Sequence, residues 1–78
     1  MNEIEQAKQL LKEEARDSVM DAANGLETMG DAEWVLDPEV AGVVGLVKPG
    51  TRTAFIVVYL NDRDFETSDD FDQFEASL

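Results

Sequence analysis

The apolar positions of this chain follow two different periods. From the N-terminus, Ile4, Ala7, Leu11, Ala15, Val19, Ala22 and Leu26 recur at steps of mostly three and four, with Ser18 on the same stripe. That spacing predicts one amphipathic helix over residues 2–24. Asn2 stands at the N-cap, and Glu5 stands where a capping box places its acid. Asn24-Gly25 supplies a left-handed stop, and no proline interrupts the stretch.

After a connector over residues 26–33, which contains Gly30-Asp31, the pattern turns to β-formers. Glu33–Leu36 predicts a short strand, closed by the Asp37-Pro38 turn, because proline disfavours helix at the residue before it. Residues 40–47 and 52–60 are rich in Val, Ile, Phe and Tyr and flank Lys48-Pro49-Gly50-Thr51, the residue order of a type II turn. This predicts a β-hairpin. Gly42 and Gly45 mark a bulge or a close approach of the helix to the sheet. Then Thr67-Ser68-Asp69-Asp70 reads as a helix start, with hydroxyl caps and first-turn acids, and Phe71, Phe74 and Leu78 share one face of the short helix that begins there.

The expected fold is α+β: a long N-terminal helix packed on a small antiparallel sheet of two to four strands, with a short C-terminal helix. The expected core is Ile4, Leu11, Val19, Leu26, Trp34, Val44, Leu46, Phe55, Val57, Tyr59, Phe71 and Phe74. Strand 52–60 is apolar on both faces. It therefore calls for cover on both, by the long helix on one side and by the C-terminal helix or a second subunit on the other. A homodimer is thus one option.

Size and composition narrow this further. Seventy-eight residues make a single small domain, 1–78, with a thin margin of core. There is no cysteine, so neither a disulfide nor a thiolate metal site supplements it. The start Met1-Asn2-Glu3-Ile4-Glu5 is polar and acidic, unlike a signal peptide. The longest apolar run, Ala54–Leu60, is too short to span a bilayer. These features point to a soluble, cytoplasmic protein.

Charge sharpens the picture. The chain carries 18 acids against 6 bases, net −12, with no histidine. Residues 1–33 hold nine acids and three bases, residues 61–78 hold seven and one, and residues 34–60 are neutral. Such a field repels nucleic acid and anionic membranes and favours basic partners. On the predicted helix Glu3, Glu13, Glu14, Asp17 and Asp21 fall on one arc, around Leu10. Lys8, Lys12 and Arg16 border the apolar stripe, where their stems cover its edge. Glu13, Asp17 and Asp21 are like-charged i,i+4 neighbours, each pair costing the helix about 0.2–0.5 kcal/mol. Helix stability alone would have alternated the signs.

The candidate partner-binding residues are therefore Leu10, Glu13, Glu14, Asp17, Asp21, Asp62, Asp64, Glu66, Asp69, Asp70 and Asp72. Carboxylates spaced about 6 Å apart along a rigid helix imitate a phosphate backbone. Leu10 and Met20 would serve as apolar anchors among them. The plain alternative is an acidic surface that only keeps a small protein in solution. Halophilic adaptation would instead scatter the acids over the whole surface.

Other chemistry has less behind it. Asp62, Asp64, Glu66 and Asp70 match positions 1, 3, 5 and 9 of a calcium loop, but Thr67 replaces its glycine and Gln73 its final glutamate. No metal site or cofactor is expected. Lys48 and Arg52 are too few for nucleic-acid binding and read as gatekeepers beside the 54–60 strand. Trp34 and Tyr59 read as core or core-edge residues. With no histidine or cysteine, catalysis lacks its common bases and nucleophiles, and an enzyme is not expected.

In size and charge the chain resembles the small acidic proteins of phages and mobile elements, among them DNA mimics and anti-CRISPR inhibitors. No family motif carries that resemblance. It implies a non-enzymatic inhibitor or modulator of a basic, nucleic-acid-binding protein, acting in the host cytoplasm if phage-encoded. The alternative is a small structural or assembly subunit, homodimeric or docked in a larger complex, whose acidity serves only solubility.

Overall fold

The computed structural model describes residues 2–78. Helices α1 (Glu3–Glu14) and α2 (Asp17–Thr28) precede strands β1 (Glu33–Leu36), β2 (Val43–Val47), β3 (Ala54–Tyr59) and β4 (Asp64–Thr67), and helix α3 (Asp69–Ala76) ends the chain. The strands form one antiparallel meander in the order β1-β2-β3-β4. The fold is α+β, with three helices and a four-stranded sheet.

The long N-terminal helix is instead two helices of 12 residues each. Asn2 caps α1, its side chain accepting the Glu5 N–H at 2.8 Å. Ala15 and Arg16 then take extended backbone, with ψ of 163° and 153°. Two physical reasons favour the break. A straight helix over residues 2–24 would run about 35 Å, beyond the molecule's longest extent of 32 Å. Folding it in two lays both apolar stripes on one sheet. The break also turns Asp17 from a mid-helix neighbour of Glu13 into a first-turn acid of α2, where the helix dipole favours it.

The stop at Asn24-Gly25 is passed. Leu26 is 4% exposed, and α2 continues through it to Thr28. Gly25 stays helical and faces the Phe74 ring of α3, whose Cζ lies 4.0 Å from the position a Cβ would take, an ordinary contact distance. The left-handed residue is Gly30, at φ 79°. Its N–H bonds Glu27 O at 3.1 Å and the Asp31 N–H bonds Leu26 O at 2.9 Å. That bond pair is a Schellman motif.

The C-terminal helix starts as expected: Ser68 caps α3 and its hydroxyl accepts the Phe71 N–H at 3.2 Å. The acidic stretch before it, by contrast, holds β4. Phe65 is half-buried between exposed Asp64 and Glu66, a period-two pattern.

All three helices lie on one face of the sheet. Trp34, Leu46 and Ile56 are aligned across the strands, as are Val44 and Val58, and all five are buried. They pack with Ala7, Leu10, Leu11, Val19, Ala22, Ala23, Leu26 and Phe71. The expected core is corrected on β3: Ile56 and Val58 are fully buried, whereas Phe55, Val57 and Tyr59 are half-buried. The register shifts between Leu46 and Val47, so Leu46 faces Ile56 and Val47 faces Ala54. Phe55 is the extra residue and packs against the core margin. The other face, expected to be covered as well, has no element over it among the described residues. Gly45 lies on that open face, so no helix approaches it.

Candidate interaction surface

The acids singled out above are divided among several elements. Glu13 and Glu14, at the end of α1, meet the β3–β4 turn, where Arg63 Nη2 lies 2.9 Å from Glu13 Oε2 and 3.5 Å from Glu14 Oε1. Gln9 Nε2 also donates to Glu13 Oε1 at 3.0 Å. The Gln9 amide, and then Arg63, hold the Glu13 carboxyl below the usual carboxylate range. Asp17 and Asp21 stand exposed on α2, beyond the break, so they no longer continue the line of Glu13. Asp62 lies in the turn, and Asp64 and Glu66 point to the open side of the sheet. Asp69, Asp70 and Asp72 occupy the first turn of α3. Thr67 Oγ1 donates to Asp72 Oδ1 at 2.6 Å.

Leu10 is corrected outright. It is 3% exposed and belongs to the core, so it is no surface anchor. Met20 is half-buried against the same core. The single-helix array of Glu13, Asp17 and Asp21 is dissolved by the break at Ala15–Arg16. The calcium-loop spacing also loses its loop, since Asp64 and Glu66 lie in a strand and Asp70 in a helix. Among the described residues no group of three or more Asp, Glu, His or Cys side chains is placed to share an ion. No helix among them is long and apolar enough to cross a membrane.

The surface that sequence reasoning missed is the uncovered face of the sheet. Val35, Gly45 and Val57 run across its middle, opposite one another in register. Val43, Val47 and Ala54 complete a hollow of about 470 Å³. Gly45 supplies the depth, because the central position of this face carries no side chain. Glu33, Asp37 and Glu39 line one side of the hollow, and Arg52 is the cation on its wall. Asp37 accepts the N–H groups of Glu39 at 2.7 Å and Val40 at 2.9 Å, and these backbone donors hold its carboxyl below the usual range. Leu36 and Val40, 49% and 54% exposed, continue the apolar surface past β1. At the far side burial, with Glu66 beside it, raises the Tyr59 phenol pKa. The available signal was the both-sided apolarity of residues 52–60, and it implied a cover that the chain does not supply.

Chemically this face suits binding. Its central side chains are aliphatic, and backbone donors lower the pKa of Asp37 on its rim, away from the raised values a general acid uses at neutral pH. It can receive apolar groups at its centre and cations at its rim. Comparison with protein-family models, with characterised proteins and with solved structures found no match.

Proposed function

We propose that this protein is a non-catalytic binding module that docks on a basic, nucleic-acid-binding protein and so inhibits or modulates it. The uncovered face of the sheet carries this reading. Three helices close the other face, while Val35, Val43, Val47 and Val57 remain only partly buried beside Glu33, Asp37 and Glu39. An apolar centre with a charged rim has the anatomy of a protein interface, in which desolvated anchors supply affinity and rim charges supply steering and register. The rim is acidic, and the net charge of −12 extends that sign to the whole molecule. A complementary partner is therefore basic. Basic grooves are built to hold phosphate backbones, and a module seated on one competes with nucleic acid without touching it.

The test uses the heparin-retained protein fraction of a cell extract, passed over the immobilised wild type and over Val57→Lys and Glu33→Lys/Glu39→Lys variants. The partner retained by wild type should weaken by about tenfold or more between about 50 and about 300 mM salt, and duplex DNA should displace it. Val57→Lys should abolish retention, because a cation placed in the apolar centre meets a basic surface. The rim reversal should slow association and flatten the salt dependence. Equal retention by Val57→Lys, with its fold intact by circular dichroism, would remove the sheet face from the interface and this reading with it.

A further inference from the structure

The sheet has two edges, and they are finished differently. In β1 the hydrogen-bonded pairs with β2 are Glu33, Val35 and Asp37, because Asp37 N–H bonds Val43 O at 2.9 Å and the pairs alternate. The N–H and C=O groups of Trp34 and Leu36 therefore point away from β2. No backbone partner meets them among the described residues. In β4 the Ser68 N–H bonds Phe55 O at 2.9 Å, so by the same alternation Phe65 and Thr67 point outward. The Phe65 N–H is taken by the Asp64 carboxylate at 2.8 Å, and the chain then turns at Ser68 into α3. One edge is short and partly closed by its own side chain. The other carries neither lysine nor proline, two common guards of an exposed edge.

Building on the basic-partner reading, we infer that β1 takes an extended segment of that partner as a fifth strand, and that this segment alternates basic with apolar residues. Strand addition supplies main-chain hydrogen bonds, while alternate side chains supply specificity. Side chains of an added strand would divide between the two faces of the sheet. On the helix side they would lie beside Leu36, 49% exposed, and the nearly buried Trp34. That side selects apolar residues. On the open side they would lie beside Glu33, Val35 and Asp37, with Glu39 nearby. That side selects cations, since Asp37 is held ionised by two backbone donors. The charge pattern also argues against a second copy of this chain as the occupant. Two copies would bring net charges of −12 together. An antiparallel pairing centred on Val35 would set Glu33 against Asp37, and like charges directly opposite destabilise a strand pair.

The probe is an N-acetylated heptapeptide alternating lysine and valine, followed by amide NMR and hydrogen exchange on the full chain. Saturation should slow exchange at the Trp34 and Leu36 amides by about tenfold or more, while the Val35 amide, already bonded to β2, changes little. Leu36→Pro removes an N–H that the β1–β2 ladder does not use, so the fold should survive while binding weakens about tenfold. A peptide N-methylated at alternate residues tests the same bonds on the wild-type chain and should also bind about tenfold more weakly. Unchanged Trp34 and Leu36 amides, or equal binding of the N-methylated peptide with shifts at Val43 and Val57 instead, would overturn strand addition and leave face docking standing. Equal binding of an alternating threonine–valine peptide would overturn the basic character of the segment, and with it the basic-partner reading. Protection of Trp34 and Leu36 that grows with protein concentration alone would make a second copy the occupant and overturn the proposal.

Discussion

Both faces of the sheet are lined with valine, yet they have opposite fates. On one face Val44, Leu46, Ile56 and Val58 are each 0% exposed under three helices. On the other, Val35, Val43, Val47 and Val57 are only partly buried around the hollow at Gly45. Residue type does not separate the two faces. Supply of cover does: helices of 12, 12 and 8 residues suffice to close one side of a four-stranded sheet. A chain this small buries a limited share of its surface, so the second apolar face is left uncovered by the described residues.

Truncating one residue on each face puts this contrast to its most direct test. Leu46→Ala should cost about 2–5 kcal/mol, a large part of a small domain's stability. Val57→Ala should cost less, about 1 kcal/mol, because Val57 is only partly buried and a smaller side chain is lost. Urea unfolding of the two variants reads the difference, and equal losses would mean that the open face is closed in solution. An effect well below that of Leu46→Ala is expected at the helix that seals Phe71 over the core. Ser68→Ala removes the cap of α3 and should cost about 1 kcal/mol in the same assay.

The smallest effect is on the acid limb of the covered side. Glu75 accepts from the Ser18 hydroxyl and from Arg16 Nη2 at 3.0 Å, tying α3 to α2. The Ser18 bond first, then Arg16, hold its carboxyl below the usual range. A carboxyl whose pKa is lowered by folding stabilises the fold above its unfolded pKa, and that contribution is lost as pH falls through the lowered value. Glu75→Gln should therefore make stability less steep in pH on the acid side and change nothing in that slope near neutrality. Urea midpoints taken between about pH 7 and about pH 3 would show it. An unchanged acid slope would remove this contact from the account.

Much of the architecture is legible in local sequence. The Asn2 and Ser68 caps, the β1 strand and the Lys48–Thr51 hairpin all rest on short-range signals, and the structure places them where those signals lie. The failures have a common cause. Leu10 falls among exposed acids only if residues 2–24 form one helix with a single stripe; with the break at Ala15, α1 turns a wider face to the core and Leu10 joins it. The Schellman bonds at Gly30 depend on Leu26 being held in the core, which Asn24-Gly25 could not reveal. Phe65 between two acids is a readable alternation, masked by the charge around it. Apart from Glu75 the acidic positions are exposed as their charge predicts, but their grouping differs, since Arg63 draws Glu13 and Glu14 to one side and the helix break sends Asp17 and Asp21 to another.

Local sequence was enough for the α+β class, the helix caps, the central hairpin and a strongly acidic exterior around an apolar middle. These depend on propensity, periodicity and charge, all of which act over a few residues. Tertiary packing alone settled which β3 face is buried, where the first helix breaks, and that one sheet face and one sheet edge are left open. Those outcomes depend on how much helix surface is available to cover a sheet, a competition among distant segments for the same area that no local pattern records.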